Sequence, residues 1–398
     1  MYFQSIDDKN ECIGIYSGSE CKFENIDFSS LTKTWKPTQN LLEHDHIEYA
    51  FLYSEGKAIS EMCPEYMRHE WDEVSKRMSA FLKSLSIAKV DLDKNCFFDL
   101  VPLKDISNFL EMKNRVTKYV FDNYKKPETY EHLLTVSKMV ESIKHHTVRI
   151  DMRSIRADSY KEKVMRFMKS LNSTKMNVSY NIFGTKTGRL TVNKGFFPVL
   201  TLDKELRKYI VPENDLFVEI DMNGAEIRTL IALLGLEQPQ LDIHEWNSKN
   251  VYNNISRDEA KKRFFAWLYN PASNDSVSSN TFDRDIIKNK FWNGKAVRTP
   301  FNREIDSDEY HCVNYTLQST SNDVCLEQAT KIYKLLSGMK SRIAFLMHDS
   351  IVLDFSANEK SKLSEIINTF SETRLGKYGI NVSIGKNFGD LKELEWKQ

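Results

Sequence analysis

Apolar residues in this chain recur at two periods, and each period marks a different kind of element. Leu133, Val136, Val140 and Ile143 step by three and four, as do Val164, Phe167, Met168 and Leu171, so the stretch from Ile106 to about Leu171 reads as helical. Residues 6–105 are mixed: "HIEYAFLYS" reads as a strand and "EWDEVSKRMSAFLKSL" as an amphipathic helix. Further on, "LFVEI" (Leu216–Ile220) is strand-like and ends at Asp221, and "AEIRTLIALLG" predicts a helix stopped at Gly235. "SRDE" fits a capping box, with Ser256 as the cap and Glu259 three residues on; the helix it opens runs to Tyr269, before Pro271. A polar loop, "ASNDSVSSN", and a long helical "NYTLQSTSNDVCLEQATKIYKLL" follow. Two apolar runs, Ile343–Met347 and Ile351–Phe355, then flank His348-Asp349-Ser350 as the arms of a tight hairpin, and a last helix is expected after Ser356. There is no internal repeat. Strands mixed with helices indicate an α+β fold with helical additions.

Composition adjusts this picture in a few places. With 398 residues, 41% of them hydrophobic, the chain can bury a large core in two or three domains. Lys plus Arg equals Asp plus Glu, 56 each, so any surface for an anionic partner must be a local patch. Residues 1–60 hold ten acids against five bases, whereas residues 141–190 hold eleven bases against four acids. The six cysteines form no CxxC pair or zinc-like cluster, which predicts reduced, mostly buried thiols. No apolar run is long enough for a membrane span, and no signal peptide is visible. The opening "MYFQS" looks like the remnant of a cleavable tag and is set aside from the fold.

The hairpin tip raises the first chemical question. Asp349 alone reads as a turn aspartate bonding its own backbone. Asp221, at the end of an apolar strand, is the natural partner that would change this reading. Two carboxylates on rigid strands can hold a pair of divalent cations about 3.5–4 Å apart and stabilise both oxygens of a phosphoryl transfer. Hard oxygen ligands and a polyphosphate favour Mg²⁺, with Mn²⁺ as a substitute. In a chain with 56 acids, however, chance pairs are common. Independent support comes from the 256–269 helix, where Arg257, Lys261, Phe265 and Tyr269 recur every four residues, each step drifting only about 40° around the axis. The cations lie at the positive end of the helix dipole, where a triphosphate is favoured, and the aromatics offer stacking surfaces. An ordinary amphipathic helix is the alternative, and Phe264, Trp267 and Leu268 supply a separate packing face for it. "GTKTGR" lacks the spacing and the Gly-Lys-Ser/Thr of a phosphate-binding P-loop. A two-metal nuclease would use paired aspartates but gives no reason for the helix stripe.

At this point the residues resemble a known family. "DMNGAEIRTLIALLG" is similar to motif A of the family A DNA polymerases, "RDEAKKRFFAWLY" to motif B, and "MHDS" to motif C. "TGRL" (Thr187–Leu190), "DIH" (Asp242–His244) and "NYTLQST" (Asn314–Thr320) match in the expected order, so the resemblance covers roughly 133–398. It implies a right-hand polymerase: a thumb over 106–200, a palm with an antiparallel sheet over 201–250 and 306–398, the latter carrying a C-terminal helix, and helical fingers over 251–305. It implies that Asp221, Asp349 and the main-chain carbonyl of Met222 bind two Mg²⁺ ions, one for the primer 3′-hydroxyl and one for the nucleotide triphosphate. Arg257 and Lys261 would grip that triphosphate, with Lys261 the general acid for pyrophosphate and His244 assisting. Glu226 would select deoxynucleotides, Phe265 would pack on the sugar and Tyr269 near the templating base. Thr187, Arg189, Asn314, Gln318 and His348 would touch primer or template.

The implied partners are primer-template DNA and dNTPs, with a processivity factor, helicase or primase as possible accessories. A monomer acting in the cytoplasm of a phage-infected bacterium is the expectation. Three departures qualify the match. Motif C ends in Ser350 where the family usually has glutamate, as in single-subunit RNA polymerases, but Glu226 and Phe265 argue for DNA synthesis. Gly224 lacks a side chain that family members carry. Asn270 replaces a glycine, and the stretch to Asn314 is short. The remaining rivals are an enzyme using NTPs and a non-catalytic fold that binds primer-template. The N-terminal 105 residues are too few for a proofreading domain with its acidic ligands, so no 3′→5′ exonuclease is expected. Asp91 and Asp93 of "VDLD" read as an ordinary acidic loop.

Overall fold

The computed structural model describes residues 2–7, 12–92, 95, 97–172, 174–239 and 242–394. The chain divides into two compact units, Met1–Ser142 and Ile143–Gln398, so the stretch expected to form a thumb is shared between them.

The first unit is built on strands β1 (Tyr2–Asp7), β2 (Cys12–Ser17), β3 (Glu20–Lys22), β4 (Lys33–Thr34) and β5 (Glu48–Tyr49). Their spatial order is β3-β2-β1-β4-β5; the first three are antiparallel, and β4 and β5 run parallel to β1. The opening residues, set aside above as a tag remnant, therefore belong to the sheet: Tyr2 pairs with Tyr16 and Phe3 with Ile15. "HIEYAFLYS" is also not one strand. Ile47 and Tyr49 alternate inward, but Ala50, Phe51 and Leu52 are buried in succession and coil into α1 (Ala50–Tyr53), while the Tyr49 N–H donates to the Tyr130 hydroxyl at 3.0 Å. Helices α2 (Glu65–Ile87) and α3 (Leu103–Asn123) pack on each other, burying Met78 with Ile106 and Leu110. Helix α4 (Tyr130–Lys144) buries the predicted stripe of Leu133, Val136, Val140 and Ile143.

In the second unit the expected helical run is broken by β6 (Arg149–Ile150), which pairs with a later strand. Then come α5 (Met152–Ala157), capped by Asp151, and α6 (Glu162–Leu171), which buries Val164 and Phe167. Short strands β7 (Tyr180–Asn181) and β8 (Thr191–Val192) form a ribbon; β9 (Ile210–Val211) is the partner of β6. Strand β10 (Leu216–Met222) follows, then α7 (Ala225–Leu233), α8 (Ile243–Asn250), α9 (Arg257–Tyr269), α10 (Ser276–Thr281) and α11 (Arg284–Phe291). A ribbon of β11 (Ala296–Arg298) and β12 (Glu304–Asp306) leads into α12 (Cys312–Leu335). The predicted hairpin is β13 (Arg342–Leu346) with β14 (Ser350–Phe355). The helix after Ser356 is α13 (Leu363–Ser371), but the chain does not end helically. It continues through β15 (Glu372–Thr373), β16 (Gly376–Lys377), β17 (Ile380–Gly385) and β18 (Lys392–Glu393).

The main sheet has the order β13-β14-β10-β17-β18, antiparallel throughout, with β10 in the centre. Phe217, Val218 and Ile220 of β10 are buried, which fixes the position of the strand end at Asp221. The packing face read for α9 is borne out: Phe264, Trp267 and Leu268 lie in one cluster with Ile227, Leu230, Phe282 and Leu317. The α+β class holds. Cys63, Cys312 and Cys325 are buried free thiols and Cys21 is half-buried, while the side chains of Cys12 and Cys96 and residue Asp93 lie outside the described residues. Among the described residues no helix is long and apolar enough to cross a membrane.

Candidate active site

Asp221, near the end of β10, and Asp349, in the turn before β14, come together at one end of adjacent strands, where the Asp349 charge acts on Asp221. Asp221 pairs across the ladder with Ser350 on one side and Asn381 on the other, and the Met222 N–H donates to the Asp349 carbonyl at 2.9 Å. Both side chains are half-buried, yet among the described residues neither has an ion-pair partner. Desolvation, the Asp349 carboxylate and Glu219 together push the Asp221 carboxyl up to about 7. Desolvation also raises Asp349, against the opposing charges of Arg189 and His348. Among the described residues no three His, Cys, Asp or Glu side chains converge closely enough to hold an ion by themselves. Two neighbouring carboxylates are hard oxygen ligands of the kind Mg²⁺ takes, one or two at a time.

The turn after β10 is fastened by side chains to which sequence reasoning assigned no role in the turn, although Arg228 and Asp242 fall within matched motifs. The Asn223 side-chain amide donates to Asp242 at 2.6 Å, and its Oδ1 accepts from the Ile243 N–H at 2.9 Å. Buried Arg228 donates to the Asn223 and Pro239 carbonyls at 2.7 and 2.9 Å. Gly224 sits at φ +63°, and a Cβ there would lie 2.3 Å from the Ile243 side chain, so this departure from the family pattern belongs to the turn's own geometry.

Asp242 caps α8 by accepting from the His244 and Glu245 N–H groups and is gripped by Arg257, Nε to Oδ1 at 3.0 Å and Nη2 to Oδ2 at 2.9 Å. Burial acts to raise the Asp242 carboxyl, but Arg257 and Asn223 outweigh it and hold the group well below the usual carboxylate range.

The α9 stripe is present as expected. Its N-terminus carries the predicted capping box of Ser256 and Glu259, and at its other end Arg284 donates to the Trp267 and Asn270 carbonyls. Lys261 is exposed, and its charge acts on both Asp221 and His244. Phe265 and Tyr269 stack at 5.5 Å between centroids, and the His244 ring lies 5.8 Å from Phe265. Burial, reinforced by Lys261, pushes the His244 imidazole down to about 4, so it is neutral near pH 7. Its Nδ1 is buried without a partner among the described residues.

Glycine 188, between Thr187 and Arg189, has φ +79°, and a Cβ there would meet the Arg303 guanidinium at 2.6 Å. Arg303 is fixed by buried Asp323 at 2.7 Å, and Asn322 donates to the Gly188 carbonyl at 3.0 Å. Thr187 is buried in this loop. The loop aims Arg189 at Glu226, with which it forms an ion pair. Burial pushes Glu226 up to about 7 despite that pairing. Asn314 and Gln318 lie one turn apart on the same face of α12, four residues before Asn322, and both are half-buried. His348 is exposed at the hairpin tip, and desolvation lowers its pKa.

With this geometry in hand, similarity to known proteins gives first a class. The chain is similar to the solved POL domain of Pol1 from M. smegmatis in complex with DNA primer-template and dNTP, with a TM-score of 0.53 over 72% of this chain and 76% of that one. At 11% identity the likeness is one of fold: the chain has the fold of a polymerase domain. A particular relative in sequence is the DNA polymerase of Bacillus phage SP01, 23% identical over an alignment of 294 residues, a match that covers 54% of this chain and 32% of that polymerase. This chain thus spans about a third of its relative's length. No family model matches the chain.

Proposed function

We propose that the chain is a template-directed DNA polymerase of the family A type, adding dNTPs to a primer 3′ end by phosphoryl transfer. The observation that carries the reading is the juxtaposition of Asp221 and Asp349 at the ends of adjacent antiparallel strands, together with the α9 stripe whose Lys261 acts on Asp221. In this reading the main sheet is the palm and α9–α11 lie in the fingers, 251–305. Asp221, Asp349 and the Met222 carbonyl would hold two Mg²⁺ ions, which when bound supply a lowered 3′-hydroxyl pKa and charge stabilisation for the transferring phosphoryl group.

The chain's own residues do the rest. Arg257 and Lys261 hold the triphosphate at the N-terminal half of α9. The primer oxygen forms the new bond to the α-phosphorus, the bond to pyrophosphate breaks, and Lys261 donates a proton to that leaving group. Phe265 and Tyr269 present stacked rings to the sugar and templating base. Glu226, pinned by Arg189, stands as a rigid wall against a ribose 2′-hydroxyl. Primer-template DNA runs past Arg189, Asn314, Gln318 and His348.

Primer extension with dNTPs in one reaction and NTPs in another tests the reading. Extension with dNTPs alone, and acceptance of NTPs by a Glu226→Ala variant, is expected. Extension by the wild type with NTPs would transfer the weight to Ser350 and the RNA polymerase reading. DNA binding without extension would leave a fold kept for binding.

A further inference from the structure

Ser350, where the chain departs from the motif it resembles, is buried, and its hydroxyl has a definite task. Alternation along β10 places Glu219 on the same face as Asp221. Asp221 pairs directly with Ser350 across the ladder, so Glu219 and Ser350 are diagonal neighbours, and the Ser350 Oγ donates to Glu219 Oε1 at 3.0 Å. Among the described residues the second oxygen of Glu219 accepts no hydrogen bond and no base pairs with the group, while its charge reaches Asp221. A half-buried carboxylate is thus oriented by one oxygen beside an aspartate pair and left with the other oxygen open.

We propose that Glu219 is a positioning residue of the cation site: held by Ser350, it accepts a hydrogen bond from a water on the divalent ion that Asp221 and Asp349 bind. The proposal rests on the polymerase reading and adds to it a group no motif assigns. Direct ligation does not fit, because no three such side chains converge tightly among the described residues. Outer partners of this kind orient the ligated water and add negative charge without entering the coordination sphere. The competing account is a cross-strand bond that merely steadies the sheet. That account needs only an acceptor atom on residue 219, whereas the cation site needs the charge.

Glu219→Gln separates the two, since the amide oxygen still accepts from Ser350. Mn²⁺ binding to the intact chain, followed by electron paramagnetic resonance at pH 8, should weaken by about tenfold in this variant, with a metal-free melting temperature no lower than that of the wild type, because a like charge beside Asp221 is removed. The exchange variant Glu219→Ser with Ser350→Glu returns a carboxylate to the same face from β14 and should recover most of the loss. Wild-type affinity in Glu219→Gln overturns the proposal, as does an exchange variant that binds no better than Glu219→Gln. Asp221→Asn keeps the outcomes apart. If wild-type binding is insensitive to it, the polymerase site itself is misassigned, and the proposal falls with it. If Asp221→Asn abolishes binding while Glu219→Gln leaves it intact, only the role of Glu219 falls.

Discussion

A carboxylate of the first five-stranded sheet and the aspartate pair of the second are treated in opposite ways. In the first unit, Glu48 on β5 accepts from the Tyr53 hydroxyl at 3.2 Å and pairs with Lys126 at 3.3 Å, so its charge is answered from within. In the second unit, Asp221 and Asp349 have no ion pair among the described residues, and desolvation with mutual repulsion pushes Asp221 up to about 7. Strand ends that merely finish a sheet do not keep like charges together. A group whose proton affinity is shifted by burial and a specific charged neighbour is instead poised for something from outside the chain. The contrast is chemical rather than topological, because both sheets are anchored by apolar residues on the neighbouring strands.

The comparison is sharpened most by Asp221→Asn. Nucleotide addition should fall by on the order of a thousandfold, since cation stabilisation of the transferring group is worth several kcal/mol. The same variant has a pH signature. The raised pKa means the folded, cation-free protein holds this proton more tightly than the unfolded chain does. Its stabilising contribution is therefore complete below the ordinary carboxylate range, about 4, and is lost as pH rises through about 7. Thermal unfolding without divalent ions should show the wild type losing stability relative to Asp221→Asn between those values, and Mg²⁺ should close the gap above pH 7. Glu226, also raised to about 7, acts with the same sign in both proteins.

Lys261→Ala comes next, with single-turnover addition slowed about a hundredfold, the low end of what a general acid contributes. Its melting temperature should stay put, because the side chain is exposed and carries no ion pair among the described residues. Ser256→Ala removes the cap of α9 and should cost about 1 kcal/mol in denaturant unfolding, with a smaller effect on rate. Glu48→Gln marks the floor: the pair with Lys126 is partly exposed, so its loss should cost less than about 1 kcal/mol and leave extension unchanged.

What the sequence made legible was local or periodic. The cap and stripe of α9 depend on residues within four positions of one another, and β10 and the β13–β14 hairpin announce themselves by apolar runs. The network of Asn223, Arg228 and Asp242 was invisible, because it joins separated segments through side-chain bonds to loop carbonyls that leave no period. Strand β17 does not announce itself although Ile380 and Val382 face inward; its six residues, the last of them Gly385, are too few to stand out from a loop. "HIEYAFLYS" misled because a short unbroken apolar run fits helix and strand alike. Strand β1 was discounted for its resemblance to a tag, yet it pairs on both edges. The Ser350–Glu219 bond needed the register of β10 against β14, which no reading of either strand alone supplies.

The most direct measurement is addition of a single complementary deoxynucleotide to a labelled primer-template, with Mg²⁺, by the wild type and by Asp349→Ala. The account predicts template-matched addition by the wild type, stopped by chelation of the metal and absent in Asp349→Ala, which still binds the DNA. Addition by Asp349→Ala at the wild-type rate would contradict it, because the two half-buried carboxylates would then have no part in the chemistry.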